Sequence, residues 1–188
     1  MKIIETPIPD LLIIEPRVFT DQRGYFFESY NQQKLQEAGF TTVFIQDNES
    51  KSVRGVIRGL HYQLAPFAQA KLVRVIQGRV YDVAVDCRKG SPTFGQSYGL
   101  ELSEENKLQF FVPKGFAHGF SVLSQTAIFS YKCDELYNPA VERGIRYNDP
   151  ALNINWKIDS SEALVSGKDI LLPLFAEAEM NFKFEAHD

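Results

Sequence analysis

The chain has 188 residues, of which 44% are hydrophobic and 13% aromatic, including 15 Phe and 8 Tyr. That is the size of one domain with a real core, and aromatic and β-branched residues favour pleated sheet over a helical bundle. A formal net charge of -4 and a pI near 5.5 exclude general binding to a phosphate backbone, which needs a basic face, but not a small anionic ligand.

The opening stretch, MKIIETPIPDLLIIEP, sets acids and prolines among its apolar residues and so lacks the uninterrupted apolar region of a signal peptide. No run reaches the ~20 apolar residues of a membrane span. Cys87 and Cys133 are too few and too far apart for a disulfide framework or a zinc motif. The expectation is a soluble, cytoplasmic protein with no nucleic-acid or membrane partner.

In chain order, Lys2 to Glu5 and Leu11 to Glu15 read as short strands, kept at an edge by Pro7, Pro9 and Pro16, so residues 1–16 are expected to form a peripheral arm. FTDQRGYFFESY holds a turn around Arg23, marked by Asp21, Gln22 and Gly24, before an extended segment carrying Glu28. Asn31 is placed to cap a short helix over NQQKLQEAGF that Gly39 ends. From Val43 the chain is nearly all strand and turn: VFIQDNES, VRGVIRGLHYQ, QAKLVRVI, RVYDVAVD, QSYGLELS, KLQFFVP, GFAHGFSVLS and AIFSYKCD. Gln77-Gly78 reads as a two-residue hairpin turn, and RKGSP and PKG as further turns. Such closely spaced strands predict a sandwich or closed barrel. After Asp134 the pattern fades into NPAVERGIRYNDPALNINW, then a mixed tail over 173–188 in which PLFAEAEMNF predicts a helix. The tail is expected to pack over the barrel, giving one domain over 1–188.

Polar groups interrupt the stretch from Val56 to Asp86. Arg58, His61 and Lys71 stand among Val, Ile and Leu on what should be rigid sheet. His118 lies in GFAHGF, and His187 beside the C-terminus. Taken singly, a strand histidine is usually a hydrogen-bonded core or rim residue, a lysine a snorkelling surface residue, and a tyrosine a core ring with its hydroxyl at the rim. A metal site on such a barrel would want histidines at i and i+2 with a carboxylate nearby. The residue two after His61 is Gln63, and Phe116 and Phe120 flank His118, so a metal is disfavoured. What remains is proton transfer at a carbon acidified by a carbonyl, with His61 as base, Lys71 at the enolate oxygen and Tyr131 returning a proton. Strict alternation puts Arg58 and His61 on opposite faces of their strand. Both face one pocket only if Gly59 marks a bulge or the strand ends near Leu60.

Nine ordered segments, DQRGYFFESY, FIQDNES, VIRGLHYQ, QAKLVRVIQGRVYDVAVD, RKGSPTFG, LSEENK, VPKGFAHGF, YNPAVE and SGKD, run from about residue 16 to about residue 173. Through them the chain resembles the dTDP-4-dehydrorhamnose 3,5-epimerase family. The resemblance implies an all-β fold, a cupin-type jelly-roll barrel, and a homodimer that exchanges N-terminal strands. It implies that His61 is the base, oriented by Asp169; that Lys71 stabilises the C4 enolate; and that Tyr131 is the acid on the opposite face of the sugar. Arg23, Phe26, Glu28, Gln46, Asp47, Asn48, Arg58, His118, Glu142 and Lys168 would bind substrate with Lys71, and Tyr137 would stack on thymine. The implied reaction inverts C3 and C5 of dTDP-4-dehydro-6-deoxy-D-glucose. Both carbons lie alpha to one carbonyl, so one base and one cation serve both inversions and no cofactor is needed.

Two positions depart from the family pattern. Leu136 stands where many relatives carry a second tyrosine, and Lys157 follows Trp156 where proline is common. The alternatives are an epimerase acting at a single centre of another dTDP-deoxysugar, and a nucleotide-sugar-binding cupin without catalysis. The joint presence of His61, Lys71, Tyr131 and Asp169 argues against the second.

Overall fold

The computed structural model describes residues 1–185. Its elements are β1 (Lys2–Glu5), β2 (Leu12–Glu15), β3 (Val18–Asp21), β4 (Gly24–Phe27), α1 (Gln32–Glu37), β5 (Gln46–Val53), β6 (Val56–Gln63), β7 (Lys71–Gln77), β8 (Arg79–Asp86), β9 (Ser97–Ser103), β10 (Gln109–Val112), β11 (Phe116–Val122), β12 (Thr126–Cys133), β13 (Glu142–Gly144), β14 (Leu164–Val165) and α2 (Gly167–Ile170). One sheet runs β1-β2-β10-β7-β12-β5 and the other β13-β6-β11-β8-β9, with β14 beside β6 and the β3-β4 hairpin apart. This is the expected all-β jelly roll.

The period-2 pattern explains where the core lies. Val80 and Ala84 of β8 face inward with Val73, Val75, Phe110, Phe120 and Phe129. Val83 and Val85 face the other way, under Ile145, Trp156, Phe175 and Phe182 from the C-terminal part. Buried on both sides, β8 reads as a near-continuous apolar run. The tail up to residue 185 therefore covers the second sheet, as expected.

Asn31 caps α1 through its side chain, which accepts from the Lys34 N–H, and Leu35 packs with Phe40 and Phe111. Four expectations need correction. VRGVIRGLHYQ is not one strand, because the chain turns at Arg54-Gly55 and passes from the first sheet to the second. For the same reason Gln77-Gly78 is a corner between β7 and β8, not a hairpin. Gly78 has φ 79, and a Cβ there would lie 2.1 Å from the Thr126 carbonyl oxygen, so the corner excludes other residues. Residues 1–16 are not peripheral: Leu11 and Ile14 are buried, and β2 pairs with β10. Arg88 also ties this segment to the barrel, reaching Asp86, Asp10 and the Pro9 carbonyl while lying over the Phe116 and Phe184 rings.

The fourth concerns PLFAEAEMNF, which forms turns and extended chain rather than a helix. Two local turn bonds, from the Glu177 N–H to Leu174 and from the Ala178 N–H to Phe175, stand beside tertiary ones. The Phe175 N–H donates to Asp149, the Phe182 carbonyl accepts from Lys89, and the Phe184 N–H donates back to Lys89. Burying Phe175 and Phe182 on the second sheet overrides local helix preference. His187 lies outside the described residues. Among the described residues no helix is long and apolar enough to cross a membrane, and Cys87 and Cys133 are unpaired and buried.

Candidate active site

The site begins with an irregularity between β6 and β11. His118 opposes His61 and Phe120 opposes Arg58, so Gly59 and Leu60 together face Gly119 alone. Of the two ways in which Arg58 and His61 could face one pocket, the structure takes the bulge at Gly59. Gly59 has φ 116, and a Cβ there would lie 2.6 Å from both the His118 carbonyl oxygen and the Gly119 Cα. Arg58 and His61 consequently line one open cleft of about 790 Å³, with Asn48, Lys71, His118, Tyr131, Lys168 and Asp169.

His61 Nε2 lies 2.7 Å from Asp169 Oδ1. Asp169 is only 4% exposed. Ser166 caps α2 by accepting the Asp169 N–H, and the Gly59 N–H donates to Asp169 Oδ2 at 3.4 Å. Burial opposes ionisation of Asp169, but His61, Gly59 and Ser166 outweigh it and hold its pKa below the ordinary carboxylate value. An ionised carboxylate accepts only, so Nε2 is the His61 nitrogen that donates to Asp169, which leaves Nδ1 outside that bond.

Lys71 opens β7 between β10 and β12. Among the described residues its ammonium has no hydrogen-bond or ion-pair partner. Burial pushes its pKa down, against the field of Cys133, Asp82 and Glu142. Tyr131 comes from β12 in the other sheet from His61. Burial pushes its phenol up, Cys133 adds to this, and Arg58 opposes it, with a net rise. The phenol is therefore protonated at neutral pH and able to donate.

A second imidazole–carboxylate pair lies deeper. His118 Nε2 is 2.8 Å from Asp82 Oδ1, and Asp82 is fully buried. Its Oδ2 has no hydrogen-bond partner among the described residues. Sequence reasoning missed Asp82, although an acid alternating inward with Val80 and Ala84 was a visible signal. It also missed Ser52, whose hydroxyl accepts from Arg58 Nε at 3.0 Å and aims the guanidinium.

At the mouth, Glu142 accepts from the Tyr137 hydroxyl at 3.0 Å and pairs with Lys168. Gln46 donates to Asn48 and accepts the Tyr137 N–H. Asp47, by contrast, faces outward and pairs with Lys132, as alternation along β5 requires. Arg23 pairs with Asp21 at the hairpin tip, Phe26 is 70% exposed, and Glu28 pairs with Lys34. None of these three lines the cleft. Among the described residues no three His, Cys, Asp or Glu side chains gather as metal ligands.

An imidazole held by a carboxylate, a desolvated ammonium and a protonated phenol, all on rigid strands of a jelly roll, define the class: an isomerase that moves protons at an acidified carbon. Residues 5–177 match the family model described as dTDP-4-dehydrorhamnose 3,5-epimerase. The chain belongs to that family. It is 54% identical over 180 residues to the dTDP-4-dehydrorhamnose 3,5-epimerase of Shigella flexneri, covering 95% of this chain and 98% of that one. The crystal structure of the Elizabethkingia anophelis enzyme superposes with a TM-score of 0.91 at 56% identity, over 94% of this chain and 97% of that one. The Legionella pneumophila dTDP-6-deoxy-D-glucose-3,5-epimerase, solved in complex with dTDP-4-keto-L-rhamnose, gives a TM-score of 0.94 at 48% identity, over 98% and 99% of the two chains.

Proposed function

We propose that this protein epimerises dTDP-4-dehydro-6-deoxy-D-glucose at C3 and C5 to dTDP-4-dehydro-L-rhamnose, in the cytoplasm and without a cofactor. One observation carries the reading: His61 with Asp169, Lys71 and Tyr131 converge on a single cleft. His61 Nδ1 removes the proton alpha to the C4 carbonyl, Lys71 stabilises the charge that develops on O4, and Tyr131 delivers a proton from the opposite side. A positioned acid or base contributes about 10²- to 10⁴-fold, and an oxyanion donor about 10²- to 10³-fold. Arg58, with Lys168 at the mouth, offers cations for the diphosphate, and the exposed ring of Tyr137 stacks on thymine.

Arg23, Phe26 and Glu28 act on substrate in a homodimer, where the β3-β4 hairpin of one copy reaches the cleft of the other. The exposure of Phe26 away from its own cleft supports this. Mixing inactive Arg23→Ala with inactive His61→Asn should then restore activity, because a mixed dimer rebuilds one intact site. No restoration on subunit exchange would refute the shared site.

The deciding experiment is incubation with the 4-keto nucleotide sugar in deuterated water, with C3 and C5 read separately by NMR. Deuterium at both carbons with inversion is expected. Deuterium at one carbon makes it a single-centre epimerase, and none at either makes it a binding protein.

A further inference from the structure

Gln63 stands where a metal-binding barrel would carry its second histidine, yet its side chain serves the backbone of a loop. It is 2% exposed. Its Nε2 donates to the Phe67 carbonyl at 2.7 Å and the Leu136 carbonyl at 3.2 Å, while its Oε1 accepts the Asn138 N–H at 2.8 Å. Two further glutamines act on the same loop. Gln46 Oε1 accepts the Tyr137 N–H at 3.1 Å, and Gln69 donates to the Glu135 carbonyl at 2.7 Å. Every residue from Glu135 to Asn138 thus has a backbone group held by a glutamine side chain.

This loop joins β12 to β13 and has no ladder of its own. The Leu136 and Tyr137 side chains are 58% and 52% exposed, so packing does not fix them. A segment without ladder or core contacts keeps one position only if its backbone groups are bonded otherwise. Gln63 bonds the residues on both sides of Tyr137, from a strand position two residues beyond His61.

We propose that Gln63 is a positioning residue for nucleoside recognition. By holding the peptide units that flank Tyr137, it sets the angle at which that ring meets the base. This rests on the stacking role of Tyr137 proposed above. A free loop would have to be ordered at each binding event, and that ordering weakens affinity.

The test compares wild type, Gln63→Leu, Tyr137→Ala and the double variant by dTDP affinity from calorimetry, kcat, KM and thermal melting. Gln63→Leu keeps the volume and removes all three bonds. It should weaken dTDP binding and raise KM about tenfold, with kcat within about twofold of wild type. In the Tyr137→Ala background it should cost nothing more. Equal losses in both backgrounds, unchanged dTDP affinity, or a fall confined to kcat would overturn the proposal. If Gln63→Leu does not fold, Gln69→Met releases Glu135 alone. It should weaken dTDP about threefold, and a loss that persists without Tyr137, or no loss, counts against the clamp. Unchanged affinity in Tyr137→Ala by itself removes the stacking role and the clamp's purpose with it. A loss there with none in Gln63→Leu removes only the clamp.

Discussion

His61 and Tyr131 reach the cleft from different sheets, β6 in one and β12 in the other, which supports the proposed roles of base on one face of the sugar ring and acid on the other. His61→Asn should abolish deuterium exchange and inversion together. Tyr131→Phe keeps the ring and loses the phenolic proton, so His61 still forms the enolate and returns solvent deuterium to the face it came from. Exchange with retained configuration is expected, read by NMR of the product. Loss of exchange as complete as in His61→Asn would remove Tyr131 from the acid role. Among the described residues the Lys71 ammonium has no partner, and in the proposed reaction its charge matters most as O4 becomes anionic. Lys71→Ala should therefore lower kcat about 10²- to 10³-fold and change dTDP affinity little, as steady-state kinetics and calorimetry would show. A loss of affinity with unchanged kcat would make Lys71 a binding group only.

At the scale of elements, the bulge in β6 and the Arg88 network carry the measurable consequences. Gly59→Ala places a Cβ against the backbone of His118 and Gly119 at positive φ. It should cost more than about 2 kcal/mol by denaturant unfolding and impair turnover, because His61 is aimed by this bulge. Asp86 is fully buried and takes Arg88, Ser91 and Thr93 as partners. Burial pushes its pKa up, but these hydrogen bonds outweigh burial and hold it below the ordinary 3.8. A carboxylate depressed in this way adds stability above its unfolded pKa and loses it as pH falls through the folded one. Melting temperature should thus drop on acidification below about pH 4, with a shallower drop in Asp86→Asn. Arg88→Met, which leaves Asp86 buried without its ion-pair partner, should cost about 3 to 5 kcal/mol near neutrality. Equal acid slopes in wild type and Asp86→Asn would contradict this account.

For the whole molecule, the chemistry is assigned to an imidazole, an ammonium and a phenol, and both histidines among the described residues, His61 and His118, are committed to aspartates through Nε2. Activity should survive exhaustive chelation; loss with EDTA and recovery with one divalent ion would reverse that assignment. The sequence by itself determined the strand-rich class, the capped α1, and Arg58, His61, Lys71 and His118 as polar groups on strands, because alternation, caps and interrupted apolar runs are local signals; Asn48, Lys168 and Asp169 entered only through the family resemblance. The sequence also showed that Arg58 and His61 could share a pocket only through a bulge at Gly59 or a strand end near Leu60, since parity along a strand is a property of spacing alone; the fold chose the bulge. Tertiary structure decided which consecutive strands share a sheet, so that Gly55 became a corner inside what reads as one strand and Gly78 a corner instead of a hairpin turn. It turned PLFAEAEMNF from a helix into a cover for the second sheet. It paired His61 with Asp169 and His118 with Asp82, residues 108 and 36 positions apart. Those partners were chosen by the way two sheets close on each other, and local sequence carries no record of distances across a barrel.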